Sequence, residues 1–536
     1  MIKYTPSNQL TLEGFSHPFE RDLSPENRWV KLAELIPWDS LASVYAKSLS
    51  STCGRESIDV RMVIGALIVK HKLGLDDRGT VAMISENIYL QYFCGLRSFQ
   101  IEEPFHPTVF VDIRKRMGAD RFDLWNELII EKADALKPKR KQTIDKDKGH
   151  GETPTTNKGT LKIDASVANQ KIVFPTDANL LNTAREESER IIDLLYKQTG
   201  SKTKPRDYRR VARKEYVSFS KKRRKTKKDI RKFIGKQLRY LKRNLSHIEK
   251  LLDQITLLRQ NQELPGMIPG MKDAYPMRFP CSKRDQKIYW VIQHIYQQQK
   301  YMYDNNVHSV ADRIVNIYQP YVRPIPRGKD KQATEFGAKI SASEVDGMSR
   351  VEHISWDQFN ESTDLQLQVN AFKNTYGHYP ELLLADKIYL NRNNRAWLKE
   401  KGIRIVGKPL GRPPKQQLSA YQRRKQKKEQ NQRNLIEGKF GQGKNAYGLS
   451  NIQAKRSDTS ESWIACIFFV MNLVKLEKIA KQYAIFCALF KNWYQSRIFT
   501  NLLIDHANSY TKKVLRIETN PKFRLITPWE NLQTLI

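Results

Sequence analysis

Two short apolar stretches of the chain each carry an acidic residue where a buried strand is predicted. Residues 161–167 alternate apolar and β-branched positions around Asp164, a pattern typical of a β-strand. Residues 381–386 pass through four apolar side chains to Asp386, and a polar helical pattern follows over residues 391–401. A strand-edge position facing water explains one such acid, because burial without a partner or a metal is costly. A second acid at the end of a predicted parallel strand, where α/β sheets place their sites, favours a functional role.

A third acid falls on a predicted helix. Glu437 follows Arg433 by four residues, so the two side chains share one helix face. Lys444 shares that face as well if the helix continues through Gly441 and Gly443. The alternative explanation for the Arg433 and Glu437 pair is an ordinary exposed salt bridge, worth about a few tenths of a kcal/mol.

The strand and helix pattern around the second acid predicts a mixed sheet. Residues 336–343 and 348–354 alternate like paired strands, and residues 345–347 form the predicted turn. Residues 403–406 read as a further short strand, and residues 170–174 as the hairpin partner of the strand with the first acid. This order of elements is compatible with an α/β fold of the ribonuclease H type, interrupted by a long helical insertion.

The charge of the chain points to a polyanionic partner. The 536 residues include 93 lysines and arginines against 57 aspartates and glutamates, a net charge of +36. Such a balance favours nucleic acid, with an anionic membrane surface as the weaker alternative. Five scattered cysteines without CxxC spacing predict neither a zinc site nor a disulfide framework. The polar opening residues and the short apolar run at 463–474 predict a cytoplasmic protein without a membrane span.

The densest basic segment lies between the two predicted strands that carry acids. Within residues 206–243 it includes a run of five consecutive cations, Lys221, Lys222, Arg223, Arg224 and Lys225. The ordinary explanation is the solvated face of a helical hairpin. However, almost no acids compensate these cations, and their mutual repulsion favours contact with phosphates. A second basic run covers residues 422–432, where the cations either lie along DNA or are simply exposed.

The third acid belongs to a motif that resembles a known signature. Arg433-x3-Glu437-x6-Lys444 is similar to the last part of the Tyr-x2-Arg-x3-Glu-x6-Lys signature of bacterial insertion-sequence transposases of the DDE class. The chain departs from that signature at the tyrosine position, which is Gln430 here.

The resemblance extends beyond this motif. Asp164 and Asp386 fall where the family has its first two acids, and residues 174–181 are also similar to family members. The similarity covers roughly residues 35–476. It implies an amino-terminal helical domain, whose short helices permit a helix-turn-helix, that recognises the terminal inverted repeats of the element.

The resemblance also implies the chemistry of the acids. Two Mg²⁺ ions, with Mn²⁺ as a substitute, activate the attacking oxygen and stabilise the leaving one. Asp164 would bridge both ions, Asp386 would hold one and Glu437 the other. Arg433 and Lys444 would contact DNA phosphates near the scissile bond. The implied partners are double-stranded DNA, as element ends and as target, and further copies of the chain assembled on that DNA near the nucleoid.

These patterns predict an all-α amino-terminal domain and a split α/β catalytic domain. The predicted organisation is a helical DNA-binding domain at 1–136, a flexible basic linker at 137–160, the first part of a ribonuclease H-like catalytic domain at 161–179, a basic helical insertion at 180–322, the rest of the catalytic domain at 323–476, and a helical tail at 477–536.

Two other functions stay open at this stage. A nuclease of the same fold would cut nucleic acid without joining it. A non-enzymatic transposase relic would bind DNA only, although acids at all three positions argue against it.

Overall fold

The computed structural model describes most of the chain, namely residues 3–4, 6, 22–49, 56–136, 157–260, 279–326, 334–406, 419–485 and 487. Two compact units divide it: Met1–Ile130 with Ile144–Leu473, and Glu131–Thr143 with Val474–Ile536. The predicted linker lies outside the described residues up to residue 156, as does most of the predicted tail. The predicted domain boundaries therefore stay predictions.

The amino-terminal region is helical, as the sequence predicts. Asp59 caps its most buried helix by accepting a hydrogen bond from the Arg61 backbone N–H. Gly74, in the left-handed region at φ 67°, ends this helix. Almost every residue between these caps is buried, so this helix forms the centre of the region. The helices are α1 Arg28–Leu35, α2 Trp38–Ala46, α3 Val60–Leu73, α4 Asp77–Glu86, α5 Ile88–Phe93, α6 Val109–Met117 and α7 Asp120–Leu136.

A mixed sheet follows in the second half of the same unit. Its strands are β1 Thr160–Asn169, β2 Arg323–Pro326, β3 Thr334–Val345, β4 Met348–Ser355, β5 Leu382–Leu384 and β6 Arg404–Ile405. β1 is antiparallel to β3 on one side and parallel to β5 on the other, and β5 is parallel to β6. β2 and β4 pair with successive stretches of β3. The predicted mixed sheet is therefore confirmed.

The hairpin of β3 and β4 forms where the sequence predicts it, but the predicted hairpin partner of β1 is wrong. Asp346 and Gly347 join β3 to β4 with φ of 51° and 88°, the left-handed conformation that tight hairpin turns require. Residues 171–176 form no strand, and Gln170 makes only an isolated bridge to Ile452. β1 takes β3 as its antiparallel partner instead, because both strands are long and largely buried.

Four helices stand between β1 and β2, where the sequence predicts a basic insertion. They are α8 Asp177–Thr199, α9 Arg209–Lys221, α10 Lys227–Gln260 and α11 Lys283–Asp304. α8, α10 and α11 share one apolar core, in which Leu181, Leu241 and Ile292 are fully buried. α9 buries only Ala212 and exposes most of its other side chains.

The helices after β4 cover the sheet. They are α12 Leu365–Tyr376, α13 Arg392–Glu400, α14 Ala420–Gln432, α15 Asn434–Ala446 and α16, residues 457–485. α12 packs on one face of the sheet over Leu161 and Ile163. α15 contacts β1 and β3, and it continues through Gly441 and Gly443 as required for the motif.

α16 contains the predicted core helix. Its residues 463–473 are all buried, and Asn472 donates hydrogen bonds to the Asn126 side chain in α7 and to the Ser349 carbonyl in β4. Asn472 thus provides a buried polar link between α7 and β4. No helix in the described part of the chain combines the length and apolarity needed to cross a bilayer.

Candidate active site

The first predicted acid lies on β1, and the second follows β5, the parallel neighbour of β1. Lys162 of β1 pairs with Leu384 of β5. Asp164 lies two residues further along β1, whereas Asp386 lies two residues past Leu384, beyond the last residue of β5 that pairs with β1. Neighbouring strands are about 4.8 Å apart, so β5 ends beside β1 and both acids follow this end of the strand pair. Asp386 is exposed just beyond the end of β5, and its carboxylate accepts a hydrogen bond of 2.6 Å from the Lys387 backbone N–H.

Asp164 is partly buried, and this changes its ionisation. Burial raises the pKa of its carboxyl group to about 6. A hydrogen bond of 2.9 Å from the Ala165 N–H and the positive charge of Arg433 act in the opposite direction. The negative charges of Glu361 and Glu437 add to the increase. A cation that binds beside this partly desolvated carboxyl group would stabilise its ionised form.

Glu437 is a residue of α15 and lies in the neighbourhood of Asp164 on β1. This helix packs on β1, and the charge of Glu437 acts on the Asp164 carboxylate. Arg433, at the junction of α14 and α15, donates to Glu437 with 2.6 Å between Nη2 and Oε1. The Arg433 side chain is 24% exposed and that of Glu437 48%. The ordinary salt bridge that the sequence offers as an alternative is thus formed, but it lies beside Asp164.

Lys444 lies away from the acids. Its Nζ is 3.3 Å from Oε1 of Glu335, near the start of β3. Ala342 is the partner of Asp164 on β3, and Glu335 precedes it by seven residues. At roughly 3.3 Å per residue, Glu335, the partner of Lys444, is about 23 Å along the sheet from Asp164. A duplex that passes over α15 would meet both ends of this helix.

Glu361 is an acid near the site that the sequence analysis did not single out. It opens a short 3₁₀ turn, Glu361–Thr363, before α12, and its charge raises the pKa of Asp164. Lys339 of β3 holds its carboxylate at 3.0 Å, and both side chains are largely buried. The only local signal is the Asn360 cap in front of the turn, and that signal does not indicate a position near Asp164.

The three predicted acids match Mg²⁺ in the chemistry of their donors. Carboxylate oxygens are the ligands that Mg²⁺ prefers, and two or three carboxylates with waters suffice. Within the described residues, no group of three or more histidines, cysteines or acids is already arranged to hold a metal ion. The Glu437 carboxylate is engaged through Oε1 in the ion pair with Arg433.

The predicted basic run forms the tip between α9 and α10. Residues 221–228 are all exposed there. Lys222 pairs with Asp229 at 2.6 Å, and the Lys225 ammonium lies 5.4 Å from the centre of the Phe219 ring. The five cations Lys221, Lys222, Arg223, Arg224 and Lys225 therefore project from a short connection between two helices.

Two separate segments of the chain match transposase family models. Residues 383–474 match the family model described as Transposase DDE domain, and residues 17–116 match the family model described as Transposase domain (DUF772). The first match includes Asp386 and Glu437. The resemblance to bacterial insertion-sequence transposases of the DDE class is therefore confirmed.

One relative comes from Rhizobium meliloti. The chain is 26% identical over 158 residues to the uncharacterized protein ORF8 in the nfe locus of Rhizobium meliloti. The aligned part covers 30% of this chain and 69% of that protein. No solved structure matches the chain significantly.

Proposed function

We propose that the chain binds the terminal inverted repeats of an insertion sequence and catalyses magnesium-dependent cleavage and transfer of DNA strands. The observation that carries this proposal is the position of Asp164 on β1 and of Asp386 just past the end of β5, the parallel neighbour of β1, with Glu437 on the helix that packs against β1.

The strand order supports a ribonuclease H-like catalytic domain. β4, β3 and β1 form an antiparallel series, and β5 and β6 continue it in the parallel direction. α12 and α13 make the connections that parallel strands require. β5 ends beside Lys162 of β1, with Asp164 two residues further along β1 and Asp386 two residues past the end of β5.

The acids have separate roles in this proposal. Asp164 would serve both Mg²⁺ ions, and Asp386 and Glu437 would each serve one of them. Bound Mg²⁺ would stabilise the charge that develops on the attacking and leaving oxygens. No side-chain nucleophile is needed, since water or a DNA 3′-hydroxyl attacks the phosphorus.

The basic groups bind and position the DNA. Arg433 is close enough to Asp164 to neutralise a phosphate next to the acids, whereas Lys444 contacts the duplex further along α15. The exposed cations Lys221–Lys225 at the tip of the insertion hold a more distant part of the backbone. Two element ends must meet before joining, so the active form is an oligomer on DNA at the nucleoid.

The proposal is tested with single isosteric variants of the three acids. Asp164→Asn, Asp386→Asn and Glu437→Gln should each abolish metal-dependent cleavage and joining of a duplex that carries the terminal repeat. Binding of that duplex should stay within about twofold, because no variant removes a cation. Glu400→Gln is the matched control, since Glu400 is an exposed acid on α13 that pairs with Lys401 at 2.8 Å.

Two outcomes would contradict the proposal. Metal-dependent cleavage that persists in an acid variant excludes that acid from the site. Cleavage by the wild-type chain without any joined product indicates a nuclease and not a transposase.

A further inference from the structure

Helix α14 presents a dense set of cations to solvent. Arg423, Arg424, Lys425, Lys427 and Lys428 are all exposed within Ala420–Gln432. The acid of the helix, Glu429, is its one buried residue. At 100° per residue these five cations cover the arc opposite Glu429 and both of its flanks.

Few acids compensate this charge. Among the described residues no carboxylate pairs with Arg424, Lys425, Lys427 or Lys428. Like charges three and four residues apart repel one another on a helix by a few tenths of a kcal/mol per pair. The helix therefore keeps an arrangement that is unfavourable in water and favourable against a polyanion.

Polar contacts fix α14 in place, without an apolar face. Its first turn has a capping box, in which Ser419 and Gln422 bind each other's backbone N–H groups. Arg404 of β6 holds the Glu429 carboxylate with two hydrogen bonds, of 2.8 and 2.9 Å. The cations on the outer arc are thus not needed to anchor the helix.

The position of α14 connects its cations to the candidate site. The helix packs beside β5, the strand that leads to Asp386. Arg433 ends α14 and begins α15, and the same residue pairs with Glu437. A phosphate backbone that enters between Asp386 and Glu437 therefore runs close to α14.

The chemistry of the helix selects the partner. A membrane-binding basic helix needs an apolar face that enters the lipid. α14 buries no apolar residue and carries a single large apolar side chain on its surface, that of Tyr421. Duplex DNA needs only correctly spaced positive charges, because phosphate contacts position the duplex without reading its sequence.

We propose that α14 is a sequence-independent clamp that binds the phosphates of duplex DNA beside the three acids. This inference rests on the proposed function and adds a second DNA contact next to the chemistry, separate from the tip of the insertion. The shared chemistry is the phosphate backbone, which the element end and the target both supply.

The test removes three cations of the outer arc together. The variant carries Arg424→Gln, Lys427→Gln and Lys428→Gln, and glutamine preserves helix propensity. Its matched control removes the same charge from the exposed start of α11, by Lys283→Gln, Arg284→Gln and Lys287→Gln. Each protein is titrated with a terminal-repeat duplex and with an unrelated duplex of equal length, over a range of salt concentrations.

We expect the α14 variant to bind both duplexes on the order of 100-fold more weakly at physiological salt. The slope of log K against log salt should become shallower by about 2.7, since each lost phosphate contact contributes about 0.9. The α11 control should keep the wild-type slope. Circular dichroism and the melting temperature show that each variant is folded. A variant with Lys425→Arg, Lys427→Arg and Lys428→Arg retains charge and should keep the wild-type slope.

Three results would overturn the clamp. These are an unchanged slope in the α14 variant, an equal change in the α11 control, or weaker binding of the terminal-repeat duplex alone. The last result would indicate base recognition. Failure of the proposed function is distinguishable, because it would appear as a wild-type chain that binds DNA through α14 and cleaves nothing.

Discussion

Arg433 holds the carboxylate of Glu437 at 2.6 Å, and its charge also acts on Asp164. The same arginine therefore contacts the third predicted acid and influences the first. In the chain without metal or DNA, this guanidinium supplies part of the positive charge that the acids need. When the active complex assembles, a metal ion would replace Arg433 beside Glu437, and a DNA phosphate would replace Glu437 beside Arg433.

Arg433→Gln should therefore strengthen metal binding and weaken catalysis. Loss of a partly exposed ion pair worth about 0.2–1 kcal/mol frees Glu437, so Mg²⁺ or Mn²⁺ affinity should increase by roughly 1.5- to 5-fold. Cleavage should fall because a phosphate contact is lost. Isothermal titration with Mn²⁺ measures the first effect. The control is Arg456→Gln, which breaks an exposed pair with Asp458. Weaker metal binding in Arg433→Gln would contradict the idea that a metal ion replaces Arg433 beside Glu437.

Asp164→Asn should make the metal-free protein more stable. Burial of the ionised carboxyl group is unfavourable, as its pKa of about 6 indicates. Each unit of pKa shift corresponds to about 1.4 kcal/mol, so removal of the charge should raise the free energy of unfolding by about 1–3 kcal/mol at pH 8. Urea unfolding in EDTA measures this change in the free energy of unfolding. Asp386→Asn is the control because Asp386 is exposed, and its change should stay within about 0.5 kcal/mol. A lower stability of Asp164→Asn would show that favourable contacts hold this charge.

Asp77→Asn should destabilise the amino-terminal region strongly. Lys70 lies 2.8 Å from Asp77, Arg114 binds the same carboxylate with two hydrogen bonds, and the Lys70 ammonium is 4.1 Å from the ring centre of Trp463. Without the carboxylate, two buried cations lose their counter-ion at a cost of about 3–5 kcal/mol. Thermal and urea unfolding measure this loss. Asp112→Asn, which breaks an exposed pair with Lys115, should cost at most about 1 kcal/mol.

The contribution of Asp77 to the stability of the fold should decrease as the pH is lowered. Burial raises its pKa, but the hydrogen bond from Arg114 and the charges of Lys70 and Arg114 outweigh burial, so the pKa lies below its ordinary value. The ion pair therefore stabilises the fold above the unfolded pKa of about 3.9 and loses this effect as the pH falls towards the lowered native pKa. The stability difference between wild type and Asp77→Asn, followed by urea unfolding from pH 7 to pH 3, should shrink only below about pH 4. A difference that shrinks between pH 7 and pH 5 would contradict this assignment.

Gly337→Ala should disrupt the central strand pair of the sheet. A Cβ at this position of β3 would lie 1.9 Å from the Ala168 carbonyl oxygen of β1, and a backbone atom cannot move aside as a side chain can. We expect a loss of several kcal/mol or failure to fold. In contrast, Gly441→Ala in α15 meets nothing within 4 Å and should stabilise the protein by about 0.5–1 kcal/mol. Equal melting temperatures for the two variants would show that β1 and β3 do not approach so closely.

Local patterns in the sequence were sufficient to predict the strands and the helix that carry or precede the acids. Alternation around Asp164, the apolar run before Asp386 and the helical spacing from Arg433 to Lys444 each correspond to the observed element. These patterns are short-range consequences of burying one face of a strand or helix, so a sequence displays them directly. The transposase signature, which depends on the same spacing, was recognisable for the same reason.

Only the tertiary structure decided which elements meet. The sequence predicts that residues 170–174 pair with β1, whereas β3 takes that place across the whole insertion. The pairing of β1 with β5, the approach of Glu361 to Asp164, and the distance of Lys444 from Asp164 all depend on contacts between residues far apart in sequence. Such contacts are selected by the packing of whole faces and by chain closure. No local propensity contains that information.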